Sequence, residues 1–314
     1  MGEAMLMRTL TIAFNTYREA ARARILYGLV GLAIATTLYS TIVGSYTLRS
    51  SARVVADLGS ASISLYSIAV AILLAATSLH RELELKTIFP ILARPVRRHE
   101  YLIGKYLGTL LTLAVFIAID AFVVLLTLAA IGGRSLLLTA TIGAAAVAVL
   151  VGLVIKVKRL GTFAPIPWAF AMLPVAVALA SVLPDERRVV LGMCALTFCE
   201  VAIVAAIATV FAAFSSPFLT AVLTIGLFIV GRQADALAKL PEKVFGSTVH
   251  NAGVVLSKIV PNLQVYVPAR PLLTGEAIGQ SFAAHLGWGA LQAFGWAIGL
   301  MTAAILIFRK RDFL

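Results

Sequence analysis

Two carboxylic acids, Asp120 and Glu200, stand inside long apolar runs of this chain. A charge at the centre of a bilayer costs at least ~2.5–3.5 kcal/mol on insertion scales, so acids in such places carry a functional hypothesis. No lysine or arginine lies within the same runs, so both acids are expected without a cationic partner. Two readings fit them. They line a substrate route or hold a proton, or they are protonated acids hydrogen-bonded to a neighbouring helix. Cys194 and Cys199 follow Met193 in one apolar run, a soft-ligand trio at first sight. Their i, i+5 spacing puts the two thiols on different faces of a helix, and two cysteines make neither a disulfide scaffold nor a standard zinc site. His80, His99, His250 and His285 fall in connections or at the edge of an apolar run. No nucleophile–histidine–acid set and no paired-carboxylate site is readable.

Phosphate chemistry is also excluded in its commonest form. A Walker A loop needs G-x-x-x-x-G-K-[ST], whose backbone amides cradle phosphates. Gly104–Lys105 is followed by Tyr106, with no glycine at the required upstream spacing. The formal net charge of +12 would suggest nucleic acid in a soluble protein, but the arginines here track the ends of the apolar runs. Of the 314 residues, 61% are apolar and 13% charged. Mean hydropathy is +1.00. A soluble domain has about 45–50% apolar and about 25% charged residues, so a soluble enzyme and a disordered chain are both excluded.

The elements that must position these residues are membrane spans of about 20 residues each. The apolar runs are 25–44, 60–79, 106–131, 136–155, 162–183, 189–214, 218–231 and 287–308. The fold class is therefore all-α: a polytopic membrane protein with about eight transmembrane helices. Residues 45–59 and 184–188 read as polar connections. Ser215–Ser216–Pro217 breaks the chain between two late spans, since proline lacks the N–H and clashes with the preceding turn. Ahead of the first span, Leu6, Leu10, Phe14, Tyr17 and Ala21 make one apolar stripe, opposite Thr11, Asn15, Arg18 and Arg22. Residues 1–24 thus read as an amphipathic helix lying in the membrane interface, followed by an uncleaved first span. Lys and Arg are about twice as dense in the loops on the side of this helix as in the others, which places both termini in the cytoplasm. Residues 232–285, with Pro261, Pro268 and Pro271, are expected to form short helices resting on the outer membrane surface.

The stretch 80–105, HRELELKTIFPILARPVRRHEYLIGK, is far longer than a minimal connection. It alternates charged with apolar residues, and Pro95 suits the start of the following helix. It reads either as a short helix that docks into a partner's groove or as a solvated basic anchor. ELELKTIFPILARPVRRHEYLIGKYLG resembles the first cytoplasmic loop of ABC-2 type transporter permeases. Glu82, Glu84, Leu92, Arg94, Pro95, Arg98, Glu100, Gly104 and Lys105 occupy the places of that pattern, with Lys86 where glycine is more usual. NTYREAARARILYGL resembles the family's N-terminal connecting helix, especially in the branch of permeases of multicopper-enzyme maturation systems. FAAFSSPFLTA, IVPNLQVY and IFRKRDFL resemble its late polar break, its outer segment and its basic C-terminal end. The resemblance spans most of the chain. It departs from the six-span core of the family at 136–183, which reads as an extra hairpin.

The resemblance implies a permease subunit, not itself an enzyme, in a prokaryotic cytoplasmic membrane. ATP and Mg would bind a separate ABC ATPase subunit, with no cofactor on this chain. A second copy or a related permease would complete a dimer among membrane lipids, with no nucleic acid. The coupling loop would be Glu82, Glu84, Leu92, Arg94, Pro95, Arg98 and Glu100, and Asp120 and Glu200 the translocation path. Export is the direction expected. Two other readings stay open: a proton-coupled secondary transporter that uses Asp120 and Glu200, and an assembly factor for a membrane or periplasmic enzyme.

Overall fold

The computed structural model describes residues 2–47, 50–84, 97–156 and 161–310. Among them all regular structure is helical. The helices are α1 (Gly2–Arg22), α2 (Arg24–Ser45), α3 (Ser51–Glu84), α4 (Arg98–Ile131), α5 (Leu136–Lys156), α6 (Pro165–Leu179), α7 (Pro184–Ala212), α8 (Pro217–Arg232), α9 (Ala234–Ala238), α10 (Glu242–Ile259), α11 (Arg270–Thr274) and α12 (Phe282–Lys310). Seven stretches among the described residues are long and apolar enough to cross a membrane: α2 to α5, the stretch Gly161–Val182 that contains α6, α7 and α12. The expected eighth span is α8, which has 16 residues and is about 24 Å long at a rise of 1.5 Å per residue.

Helix starts follow capping chemistry. The Ser216 hydroxyl accepts the Leu219 N–H at 3.4 Å and Pro217 opens α8, a favourable first-turn residue because its missing N–H would be unpaired there anyway. Pro184, Asp185 and Glu186 form the first turn of α7, where acidic groups meet the positive end of the helix dipole. The stretch 184–188, expected as a turn, is therefore helical. So is 51–59, expected as part of a polar connection, and this puts Arg53 and Asp57 on α3.

The centre is a trio of α3, α4 and α7. Val55, Ala56 and Ile63 of α3, Leu113, Val124 and Leu125 of α4, and Leu196, Val201 and Val204 of α7 are all buried. A methyl group added at Gly59 would lie 2.8 Å from the Val124 side chain, so glycine sets the spacing between α3 and α4. The hairpin of α5 and α6 is attached through Trp168. Its indole N–H donates to the Ala146 carbonyl of α5 at 2.8 Å, and its ring meets Phe122 of α4 edge-on at 5.8 Å. The outer helices keep large apolar side chains bare, among them Leu136, Leu137, Ile155, Trp288 and Phe294. Such a surface would be an aggregation hazard in water and is the ordinary surface of a protein in lipid.

α1 has three faces. Leu6, Leu10 and Phe14 are exposed, as an interfacial helix requires. Thr9, Ala13, Thr16, Tyr17 and Ala20 are buried instead, mostly against α4. Gly104 and Gly108 form a G-x-x-x-G face there. A Cβ at Gly108 would stand 2.4 Å from the Ala13 carbonyl oxygen, and one at Gly104 2.7 Å from Ile12 Cβ. Only hydrogen at these positions lets the two backbones approach.

The region after α8 departs from the expected surface layer. Val260, Leu263, Tyr266, Leu272 and Leu273 are buried. A Cβ at Gly231 of α8 would meet the Pro261 carbonyl at 2.8 Å, and one at Gly192 of α7 would meet Leu273 at 2.8 Å. The Tyr266 hydroxyl donates to the Gly289 carbonyl of α12 at 2.9 Å, and a His285 ring nitrogen lies 2.9 Å from the Val265 carbonyl oxygen. Residues 260–274 are thus wedged between α7, α8 and α12, held by their apolar side chains.

Candidate functional site

One face of α3 is polar at helical spacing: Arg53, Asp57, Ser60 and Ser64 follow one another by four, three and four residues. This face lines a cleft of about 640 Å³. Val189 and Met193 of α7, Phe228 and Arg232 of α8, and Arg270 and Leu273 close its other sides. Along α3 it runs from Arg53 to Ile68, about 22 Å at the helical rise.

The base of the cleft is an ion pair. Arg232 Nε donates to Glu200 Oε1 at 2.6 Å and Arg232 Nη2 to Glu200 Oε2 at 2.8 Å. Nη2 also reaches the Ser64 hydroxyl at 3.3 Å. The guanidinium lies 5.4 Å from the Phe228 ring centroid. This fork joins α3, α7 and α8 at one point, and its two-pronged geometry suits arginine rather than lysine. It also corrects the expectation that Glu200 has no cationic partner. Arg232 is the last residue of α8, just past the apolar run, and its long side chain reaches Glu200 on α7. At the mouth, Arg270 bridges Asp57 of α3 and Glu186 of α7, while Arg53 Nε stands 3.7 Å from Asp57 Oδ2.

Asp120 is not part of this cleft. It is 2% exposed, and neither carboxyl oxygen has a hydrogen-bond partner among the described residues. Among the described residues the hydrogen bond to a neighbouring helix, one of its two expected arrangements, is not formed. Cys194 and Cys199 are free thiols, and the described residues hold no group of three or more side chains that would bind a metal ion. His250 Nδ1 lies 2.7 Å from the Leu240 carbonyl oxygen and His285 is engaged as above, so both serve local structure.

The opposite end of the bundle gathers α1, the start of α4 and the end of α12. Glu100 is 3% exposed; it accepts the Arg97 N–H at 3.4 Å and stands 4.0 Å from Arg8 of α1. Arg98 donates to the Phe308 and Arg309 carbonyls at 3.4 and 3.0 Å. Lys105 Nζ donates to the Ser78 carbonyl and hydroxyl, each at 2.8 Å, tying α4 to α3. Tyr17 stacks on Phe163 at 5.9 Å, and burial, with Tyr27 beside it, pushes its phenol well above its usual range. Of the expected coupling residues, Arg98 and Glu100 are thus joined to neighbouring helices. Leu92, Arg94 and Pro95 lie outside the described residues. Glu82 and Glu84 fall in the last turn of α3.

Reading by apolar runs missed Arg53, Asp57, Ser60, Ser64, Glu186, Arg232 and Arg270. The four on α3 carried a signal, their common face. Arg232 carried a weaker one, as a cation directly beyond a short span. Compared with known proteins, the chain matches no family model and no curated protein.

Proposed function

We propose that this chain is the transmembrane permease subunit of an ABC-2 type transporter, driven by ATP hydrolysis on a separate ATPase and working as an exporter. Both termini and the 80–105 stretch face the cytoplasm of a prokaryotic cell, α1 lies on that surface, α8 is the eighth span, and a second permease completes the transporter. The observation that carries this reading is the division of the molecule between its ends. The helices that flank residues 85–96 are α3 and α4, and α3 also lines the cleft at the other end. At the first end Lys105, Arg98 and Glu100 tie α4 to α3, α12 and α1. A push on the loop there is passed to helices rather than absorbed by loose chain.

The interface reading keeps Leu92 as an apolar anchor in an ATPase groove, with Glu84 and Arg94 at its rim. Leu92→Asp combined with Arg94→Glu should abolish co-purification of the ATPase or its stimulation, while membrane insertion is kept. Wild-type ATPase binding and stimulation in that variant would remove the loop from the coupling path. A proton-coupled secondary transporter is favoured only by Asp120, whose carboxyl has no partner among the described residues. Transport that survives ATP depletion and stops on collapse of the proton gradient would select it.

A further inference from the structure

The cleft offers hydrogen-bond donors to whatever enters it. Three guanidinium groups, Arg53, Arg232 and Arg270, line it with the Asp57 carboxylate. Glu200 stands behind Arg232: the Glu200 side chain is 1% exposed and the Arg232 side chain 22%. The pair is neutral as a whole, yet its cationic end faces the cavity. Arg232 Nη1 has no protein acceptor among the described residues, since Nε and Nη2 make its bonds. Ser60 is 3% exposed and lines the cleft, and its hydroxyl has no partner among the described residues. A buried hydroxyl without a partner is destabilising, and a ligand acceptor would satisfy it. Arg232 and Ser60 both line this one cleft.

The remaining wall is apolar. Leu65, Ile68, Met193 and Phe228 line the same cleft. Leu65 is 63% exposed, so the cleft runs out onto the bare flank of α3. For a protein in a bilayer that flank is the lipid side, and an apolar chain can lie along it while its head reaches Arg232.

From this geometry we infer that the cleft binds an amphiphile whose head is an oxyanion, a phosphate or a carboxylate, with the head on Arg232 Nη1 and Ser60 and the apolar chain along Leu65 and Phe228. Charge-assisted bonds to guanidinium are about twice as strong as neutral ones, which selects an oxyanion over an uncharged polar head. The inference rests on reading the cleft as the transport chamber of the proposed permease, and names the chemistry of what that chamber takes.

The test is binding by the full chain in a neutral maltoside detergent, with no ATP and no ATPase. Labelled dodecyl phosphate is the probe. Dodecanoate, dodecyltrimethylammonium, inorganic phosphate and a diacyl phosphatidic acid are the competitors. Dodecyl phosphate and dodecanoate should bind at least about tenfold more tightly than the ammonium amphiphile. Arg232→Gln with Glu200→Gln, which removes both charges and leaves no orphan ion, should erase that preference. Where that pair fails to fold, Arg53→Gln with Ser60→Ala should weaken binding several-fold. Arg134→Gln, outside the cleft, should change nothing. Displacement by phosphatidic acid makes a bilayer lipid the source of the oxyanion; displacement by single-chain anions alone makes it a free amphiphile. Equal binding of the cationic amphiphile, or a preference that survives loss of the Arg232–Glu200 pair, overturns the inference. Inorganic phosphate competing as well as dodecyl phosphate overturns its apolar half. Failure here leaves the ATPase assay of the Leu92 and Arg94 variant untouched, so the two readings fail separately.

Discussion

At the residue scale, Glu200 and Arg232 show how a buried ion pair divides its work. Removing both charges from water is expensive, and the fork repays that only because both guanidinium prongs and the Ser64 hydroxyl are satisfied together. Breaking the pair from one side should therefore be worse than removing it. Glu200→Gln alone is expected to destabilise the chain by about 3–5 kcal/mol, because it leaves the largely buried Arg232 charge without its carboxylate. Glu200→Gln with Arg232→Gln should recover most of that loss. Thermal unfolding midpoints of the two variants in one detergent measure the difference, and equal losses would mean that the pair holds no uncompensated charge. The acid was legible in the sequence as an anomaly within an apolar run. Its partner was not, because which cation comes level with Glu200 depends on how far the short α8 reaches, and that is set by packing rather than by any local pattern. The serines of α3 were legible in principle, as a polar face on a helix otherwise read as uniformly apolar.

At the scale of elements, the sequence placed each long helix because apolar runs of span length leave few alternatives. Its errors fall at the ends. Arg53, Asp57 and the charged start of α7 look like connections by hydropathy, yet both helices extend past the apolar run, α7 with Pro184, Asp185 and Glu186 in its first turn. The segment 260–274 was misjudged for another reason. Its burial rests on pairings distant in sequence, such as Tyr266 with Gly289, which no window can contain. α1 reads as amphipathic in the sequence, but Tyr17 and Ala21 of the expected apolar stripe are buried, together with a protein-facing side built of Thr9, Ala13 and Thr16, small residues that look neutral on a hydropathy scale. These match the absent side chains of Gly104 and Gly108. Gly108→Leu should lift α1 from α4, because a Cβ already collides with the Ala13 carbonyl. The measurement is proteolysis in membranes. Cleavage within residues 2–22 should speed up several-fold while the transmembrane bundle stays intact. Unchanged protection would show that α1 is held by lipid through Leu6, Leu10 and Phe14 rather than by the glycine face.

At the scale of the whole molecule, the cleft and the cluster of α1, α4 and α12 stand at opposite ends, and their separation is a topological statement. α3 and α7 begin at the cleft mouth, where Arg270 bridges Asp57 and Glu186. They end at the face where α4 starts. The turn around Gly133, whose φ of 96° suits glycine, and the turn at Gly275 lie with the cleft mouth. The N-terminal helix, Ser215 and the end of α12 lie with the opposite face. The proposed eight-span topology therefore expects Arg134, Asp185 and Glu276 on one side of the membrane and Asn15 and Ser215 on the other. Single cysteines at these five positions, in a chain with Cys194 and Cys199 replaced by alanine, test it with a thiol reagent that does not cross membranes. In intact cells Arg134→Cys, Asp185→Cys and Glu276→Cys should label from outside, and Asn15→Cys and Ser215→Cys only after lysis. That orientation is the one expected from the excess of basic residues near the second group. The reverse pattern would keep the helical bundle and invert its orientation. Labelling of Glu276→Cys with the second group would mean that α8 does not cross, and that the chain has seven spans.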